Sequence, residues 1–545
     1  MTCCQPKQPK DVQKIVVDLS QLNYSKPECP VDRGSCQLCQ EILAVEKDIE
    51  DAVSNIEDLL IRHQRLKTQL NNTHSPIIRD LPVEILSMIF YSCFPDAMKN
   101  GDRLPSRCDP FVPLKVGAVC RTWRQIAWSS PEFWTIIVLD RVLSPVSYVC
   151  NQYFMIGEWI QRSGSLPVHV YLREDDSDSD NVGTVAKGCK CWEMSLELVS
   201  QCCDRWKDAT MVLSRASFQY IASNFKLTPP TRSLTLQSRQ FWPDEDDPLM
   251  LWQGSSTGPE EVVMCLPIMY GHINVGWKHV RRVDAYGWKT KDCLNLLKNA
   301  PQLRWCTFMD VMESVIDSSK PFCHNSLQSL FFEGAPASSQ FLKHVTLPSL
   351  EELNYLPDYP PAAPPLPMDD PLLMPFINRS GCRLEKLSLA GRIVTHEYLV
   401  TILSAIPSLT LFHLQFSECS ITRNDERNLL VSFMLHLATT ATLSSSDSAD
   451  DGNAFLPRLE VLEVGTNSFD FPWLSVPKMF GHPSELGKAG RRPLKNLTLY
   501  IWTPHCVTGL PADTIADLVR LQEAGAEILY HGVSDGSLVI PVTWK

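Results

Sequence analysis

LQSLFFEGAPASSQFLKHVTLPSLEELNYL, residues 327–356, carries one six-residue pattern twice: Leu327-x-x-Leu330-x-Phe332 and, 23 residues later, Leu350-x-x-Leu353-x-Tyr355. Apolar residues on alternate positions at its end read as a short strand with one face inward. The step falls within the roughly 20–29 residues of a leucine-rich repeat. The pattern continues in both directions, as Val280-Val283-Ala285 and Leu303-Cys306-Phe308 upstream, and as Leu384-Leu387-Leu389, Leu409-Phe412-Leu414, Leu459-Leu462-Val464 and Leu494-Leu497-Leu499 downstream. Successive steps are 23, 24, 23, 34, 25, 50 and 35 residues. The steps of 34 and 35 read as units with insertions, and 50 as two units of 25. Weaker copies precede them at Phe133-Ile136-Val138, Pro167-Val170-Leu172, Trp206-Ala209-Met211 and Thr231-Leu234-Leu236.

Helical stretches separate the strands at 293–301, 397–407 and 428–438. A strand and a helix per unit cannot bury their apolar sides alone, so the units must stack. Residues 135–545 therefore predict an α/β leucine-rich-repeat solenoid, or horseshoe. The residues between the inward positions would line its concave sheet as one ladder: Tyr286, Trp305, Phe331, Asn354, Lys386, His413, Glu463 and Tyr500. Aromatic residues there are candidate hot spots for a protein substrate.

Ahead of the repeats, residues 1–34 have no periodicity and read as a poorly ordered lead-in. Residues 35–72 carry a heptad signal: Leu38, Ile42, Val45, Ile49, Ala52, Ile56, Leu59, His63, Leu66 and Leu70 follow at alternating steps of four and three. Isoleucine at a with leucine at d favours a two-stranded parallel coiled coil, hence a homodimer through residues 38–70. The other reading is one long helix packed on its own chain. The stretch Asn71 to Pro76 ends it.

Between heptads and repeats, residues 76–134 hold two amphipathic segments. Ile85, Leu86, Ile89 and Phe90 mark the first, and Val116, Val119, Cys120, Trp123 and Ile126 a second single helix. Each stripe is wider than two short helices can hide on one another, so the surplus is covered by the rest of the chain or by another protein. Trp134 and the end of the second helix are expected to bury against the first strand at Ile136 and Val138.

A net charge of −12, from 50 basic and 62 acidic residues, argues against a general nucleic-acid binder. The basic pairs Arg281-Arg282 and Arg491-Arg492 read as solvated surface. With no signal-like apolar core at the N-terminus and no apolar run long enough to span a membrane, the chain reads as intracellular, cytoplasmic or nuclear. Its 20 cysteines are then mostly reduced thiols. Cys36-x-x-Cys39 lacks a second pair at metal-site spacing. Cys189, Cys191, Cys202 and Cys203 flank a helix that holds its ends about 15 Å apart. Phosphate loops, nucleophile elbows and paired histidines are not found, so no cofactor, metal or catalytic residue is expected.

The stretches SPIIRDLPVEILSMIF and VGAVCRTWRQIAWSSPEFW within 76–134 resemble the F-box-like proteins abundant in fungi, which also tend to carry an upstream coiled coil and degenerate leucine-rich repeats. The resemblance implies docking on the Skp-type adaptor of a cullin-based ubiquitin ligase, with the repeats holding a protein substrate. It assigns adaptor contacts to Leu81, Pro82, Ile85, Leu86, Ile89 and Phe90 in the first helix, to Val119, Cys120, Trp123 and Ile126 in the second, and to Trp134. The inter-helix segment is longer than the family's usual short turn. The alternative is a coiled-coil-dimerised interaction scaffold that never engages a ligase.

Overall fold

Fifteen strands lie in one sheet in chain order, beginning with Ile136–Asp140, Val168–Arg173, Trp206–Val212, Ser233–Gln237, Glu261–Cys265, Arg282–Tyr286, Trp305–Met309 and Ser329–Glu333. The order continues through Glu352–Leu356, Lys386–Ala390, Leu411–Gln415, Val461–Thr466, Asn496–Ile501, Glu527–Ser534 and Ser537–Val539. The structure, a computed structural model, describes residues 36–74, 81–93, 111–141, 146–174, 190–238, 242, 248–252, 258–265, 267–316, 321–334, 337–356, 372–390, 395–416, 423–442, 455–466, 471–486, 490–501, 511–534 and 537–539. The expectations for residues 1–34 and for Cys189 lie outside them.

Neighbouring strands from Val168–Arg173 through Glu527–Ser534 pair in parallel, and the last pair is antiparallel. Parallel neighbours need a crossover, and in several of these connections a helix supplies it. These helices include Thr290–Asn299, Ala337–His344, His396–Ser404 and Arg423–Thr439. Their apolar sides pack on the strands' inward residues: Phe341 lies 5.7 Å from Phe308 and 4.7 Å from Phe332, and Phe433 lies 5.9 Å from Phe412 between ring centroids. Leu330, Leu353, Leu387, Phe412 and Leu462 are fully buried.

One backbone motif recurs along the sheet. The carbonyl just after the leading apolar residue accepts two N–H groups from the next unit: Arg281 O from Arg304 and Trp305, Arg304 O from Gln328 and Ser329, Gln328 O from Glu351 and Glu352. The same fork joins Glu351 to Glu385 and Lys386, and Glu385 to Thr410 and Leu411. It makes the units equivalent at the backbone whatever their side chains, and satisfies polar groups at the strand entrance.

Four expectations need correction. Leu411–Gln415 pairs directly with Val461–Thr466, so the step of 50 residues is one unit carrying the 17-residue helix Arg423–Thr439, not two units. The first strand buries Ile137 and Leu139 rather than Ile136 and Val138, a shift of one residue that exchanges the two faces. A strand was missed at Glu261–Cys265, where Pro259-x-x-Val262-x-Met264 repeats the pattern with proline leading, and another at Glu527–Ser534, which buries Ile528 and Tyr530. Arg492 is 3% exposed, not solvated surface. Its guanidinium donates to the carbonyls of Leu437, Thr440, Phe455 and Leu456, closing the end of the Arg423–Thr439 helix. Burial, with Arg491 adding repulsion, pulls its pKa down to about 10.

Compactness divides the chain into two units: Met1–Ile137 with Ser144–Leu166 and Gly183–Met194, and Val138–Leu143 with Pro167–Val182 and Ser195–Lys545. The first holds helices α1 (Gln37–His74), α2 (Val83–Ser92), α3 (Val112–Val119), α4 (Arg121–Ser129) and α5 (Val146–Arg162). The single second helix expected at Val116–Ile126 is in fact α3 and α4. Cys120 between them is extended, with φ −157° and ψ 173°. Its sulfur accepts the Trp123 N–H at 3.4 Å as an N-cap, and Arg124 Nε donates to the freed Gly117 carbonyl at 2.9 Å. Gly117 permits a close crossing, since a Cβ there would stand 2.2 Å from Trp128 Cζ3.

Candidate functional site

The first unit sorts its apolar residues into two sets. Leu86, Phe90, Val116, Ile126, Ala127, Phe133, Trp134 and Trp159 form one buried cluster. Phe90 packs on Trp123 at 4.6 Å, Trp134 meets Trp159 edge-on at 4.7 Å, and the Trp134 indole donates to Ala127 O at 2.8 Å. Arg162 lies 5.1 Å above the Trp134 ring. Trp134 is thus sealed by α4 and α5, with Ile136 at the cluster's margin and Val138 not part of it. The contribution of α5 went unread, although Met155, Trp159 and Arg162 stand at helical spacing.

The second set stays in contact with water. Val83 is 53% exposed, Ile85 41%, Met88 66%, Ile89 44% and Val119 60%. Pro82, which precedes α2, is exposed as well. Between α2 and α4, Val83, Thr122, Gln125, Ile126, Trp128 and Ser129 line a groove of about 590 Å³. Of the residues assigned to the adaptor, Pro82, Ile85, Ile89 and Val119 are exposed. Leu86, Phe90, Ile126 and Trp134 build the core, and Leu81, Cys120 and Trp123 are half-buried. Val83 and Met88 were missed; they continue the exposed edge of the same helix.

α1 is one continuous helix whose seam faces solvent: Leu38, Ile42, Val45, Ile56, Leu59, Leu66 and Leu70 are all more than half exposed. Among the described residues, nothing covers these seven positions.

In the second unit, the residues expected as one ladder occupy three rows, because strands align their inward residues and each pattern position then runs in its own row. Phe331, Asn354, His413 and Glu463 share one row. Trp305 and Lys386 lie in the row before it, and Tyr286 and Tyr500 in the row after. Trp305 and Lys386 are exposed and the other six half-buried. Tyr500 stacks on His531 at 5.3 Å, and His413 stands 6.4 Å from Tyr500. Burial lowers the pKa of His413 although Glu463 opposes it, and burial and Glu463 together raise that of Tyr500.

Among the described residues, no group of three or more His, Cys, Asp or Glu could hold a metal ion, and no helix is long and apolar enough to cross a membrane. Cys36 and Cys39 lie 3.4 Å apart through their sulfurs as free thiols. Compared with known proteins, the sequence matches no family model and no curated protein.

Proposed function

We propose that the chain is the substrate-recognition subunit of a Skp/cullin/F-box type ubiquitin ligase, with the first unit as an F-box-like domain and the second as a leucine-rich-repeat solenoid. One observation carries the reading: α2 turns Leu86 and Phe90 into its own core yet leaves Val83, Ile85, Met88 and Ile89 in water, with Val83 lining the groove between α2 and α4. Uncovered aliphatic residues at helical spacing suit helix-in-groove docking of an adaptor. The recurring carbonyl fork supports stacking of equivalent repeats. The chain performs no chemistry itself; it raises the concentration of a bound substrate near the transferring enzyme. Pull-down of a Skp-type adaptor by the full chain tests this. Binding lost in Ile85→Asp with Ile89→Asp is the expected result, and equal capture by that variant contradicts the docking surface.

The solvent-facing seam of α1 favours a second role, self-association through residues 38–70. Light scattering should give a dimer that Ile42→Asp with Leu59→Asp converts to monomer. A dimer that never captures the adaptor would favour the scaffold reading.

A further inference from the structure

The fork that joins successive units places the residues just before and just after each leading apolar position side by side along the strand entrances. In three consecutive units of the second body these are Gln302 and Arg304, Ser326 and Gln328, and Ser349, with Arg281 one unit earlier. Together with Asn325 they line a polar recess of about 400 Å³ that contains no carboxylate. Their backbones are fixed: Arg281 O accepts from Arg304 and Trp305, and Arg304 O from Gln328 and Ser329. Ser349 Oγ donates to Asn325 O at 2.6 Å, while the two guanidiniums are uncommitted. Among the described residues neither the Arg281 nor the Arg304 guanidinium has a hydrogen bond or an ion pair. Arg282 next door pairs with Asp284 at 3.6 Å, and Arg232, two units back, lies 3.9 Å from Asp208. In a chain with 62 acidic residues against 50 basic ones, two neighbouring arginines left without a carboxylate stand out.

We infer that this recess binds a phosphoryl group. Parallel strands are about 4.8 Å apart, so two guanidiniums at equivalent positions bracket a single group. One carboxylate is satisfied by one guanidinium fork, whereas a dianion with three terminal oxygens uses two, together with amide and hydroxyl donors. Asn325 Oδ1 already accepts from Cys323 Sγ at 3.1 Å, which leaves its amide N–H groups to donate. The row changes sign on both sides, at Glu260 and at Glu351, so the attraction is confined to this recess and does not extend into a general basic surface. The inference does not depend on adaptor docking; under that reading, the phosphoryl group belongs to a phosphorylated side chain of the substrate.

The full chain is titrated by calorimetry at low ionic strength with inorganic phosphate and, separately, with a capped Ala-phosphoserine-Ala tripeptide. The unphosphorylated tripeptide serves as control. Expected is saturable binding that falls about tenfold for Arg281→Gln or Arg304→Gln alone and further for both, with unchanged melting temperature. Binding should also weaken as salt is raised. Tighter binding of the tripeptide assigns the site to a phosphorylated protein, and binding of phosphate alone assigns it to a small phosphoryl ligand. Affinity unchanged in the double variant, or no binding of either probe at millimolar concentration, overturns the site. The double variant should still capture the adaptor, so failure here and failure of the ligase reading are separate results.

Discussion

The two units treat the same kind of residue in opposite ways. In the repeat unit the pattern leucines, from Leu327 through Leu497, are at most 5% exposed, because each strand and helix finds its missing partner in the next unit. In the helical unit, neighbouring positions of one helix part company: Leu86 is 1% exposed and Ile85 41%. A repeat closes its own surface by adding copies. Four helices around one tryptophan cluster leave part of their apolar surface uncovered by the described residues.

The sharpest way to break this contrast is a charge on either side of it. Leu86→Asp places an unpaired carboxylate in the Trp134 cluster and should abolish the cooperative melting of the first unit, whereas Ile85→Asp should shift stability by less than about 0.5 kcal/mol. Similar melting curves for the two would show that the sorting of core from surface is wrong. In the repeat unit, Arg492→Ala leaves the carbonyls of Leu437, Phe455 and Leu456 without their donor. It should cost about 3 kcal/mol in urea denaturation. Gly117→Ala drives a methyl group into Trp128 and should cost roughly 1–3 kcal/mol, with the loss confined to the first unit.

A smaller effect separates the units by pH. His324 is 3% exposed; its Nε2 contacts Ala300 O at 3.0 Å and its Nδ1 accepts the Leu327 N–H at 3.2 Å, which fixes a neutral ring. Burial lowers its pKa, against the pull of its backbone hydrogen bonds, and burial lowers that of His413. The unfolded chain therefore binds protons first. The histidine contribution is complete above the unfolded value of 6.5 and declines as pH falls below it. The urea midpoint of the repeat unit should drop between pH 7.5 and 5.5, and drop less in His324→Asn. An equal drop in both would remove His324 from the account.

The strands of the parallel sheet were legible because their signal is dense: Leu-x-x-Leu-x-Leu encodes strand, inward face and register at once. That signal failed where a residue carried the geometry without the hydrophobicity, as Pro259 does ahead of Val262, or where length imitated periodicity, as in the 50-residue step filled by one long helix. The ladder of candidate contacts divided into three rows because row membership depends on interstrand alignment, which spacing along one strand does not contain. In the helical unit the apolar stripe was readable but not its division, since Cys120 interrupts what looks like continuous helical spacing and Trp159 arrives from a helix beyond the motif. Arg492 was unreadable for a different reason: the carbonyls that hold it come from two stretches, 437–440 and 455–456, that lie far from it in sequence.

Measuring the affinity of purified full-length chain for a Skp-type adaptor, as wild type and as Ile85→Asp with Ile89→Asp, tests the central claim most directly. The account predicts a specific complex that weakens at least a hundredfold in the variant while its melting temperature stays unchanged. A wild-type chain that does not bind, or a variant that binds equally well, would contradict it.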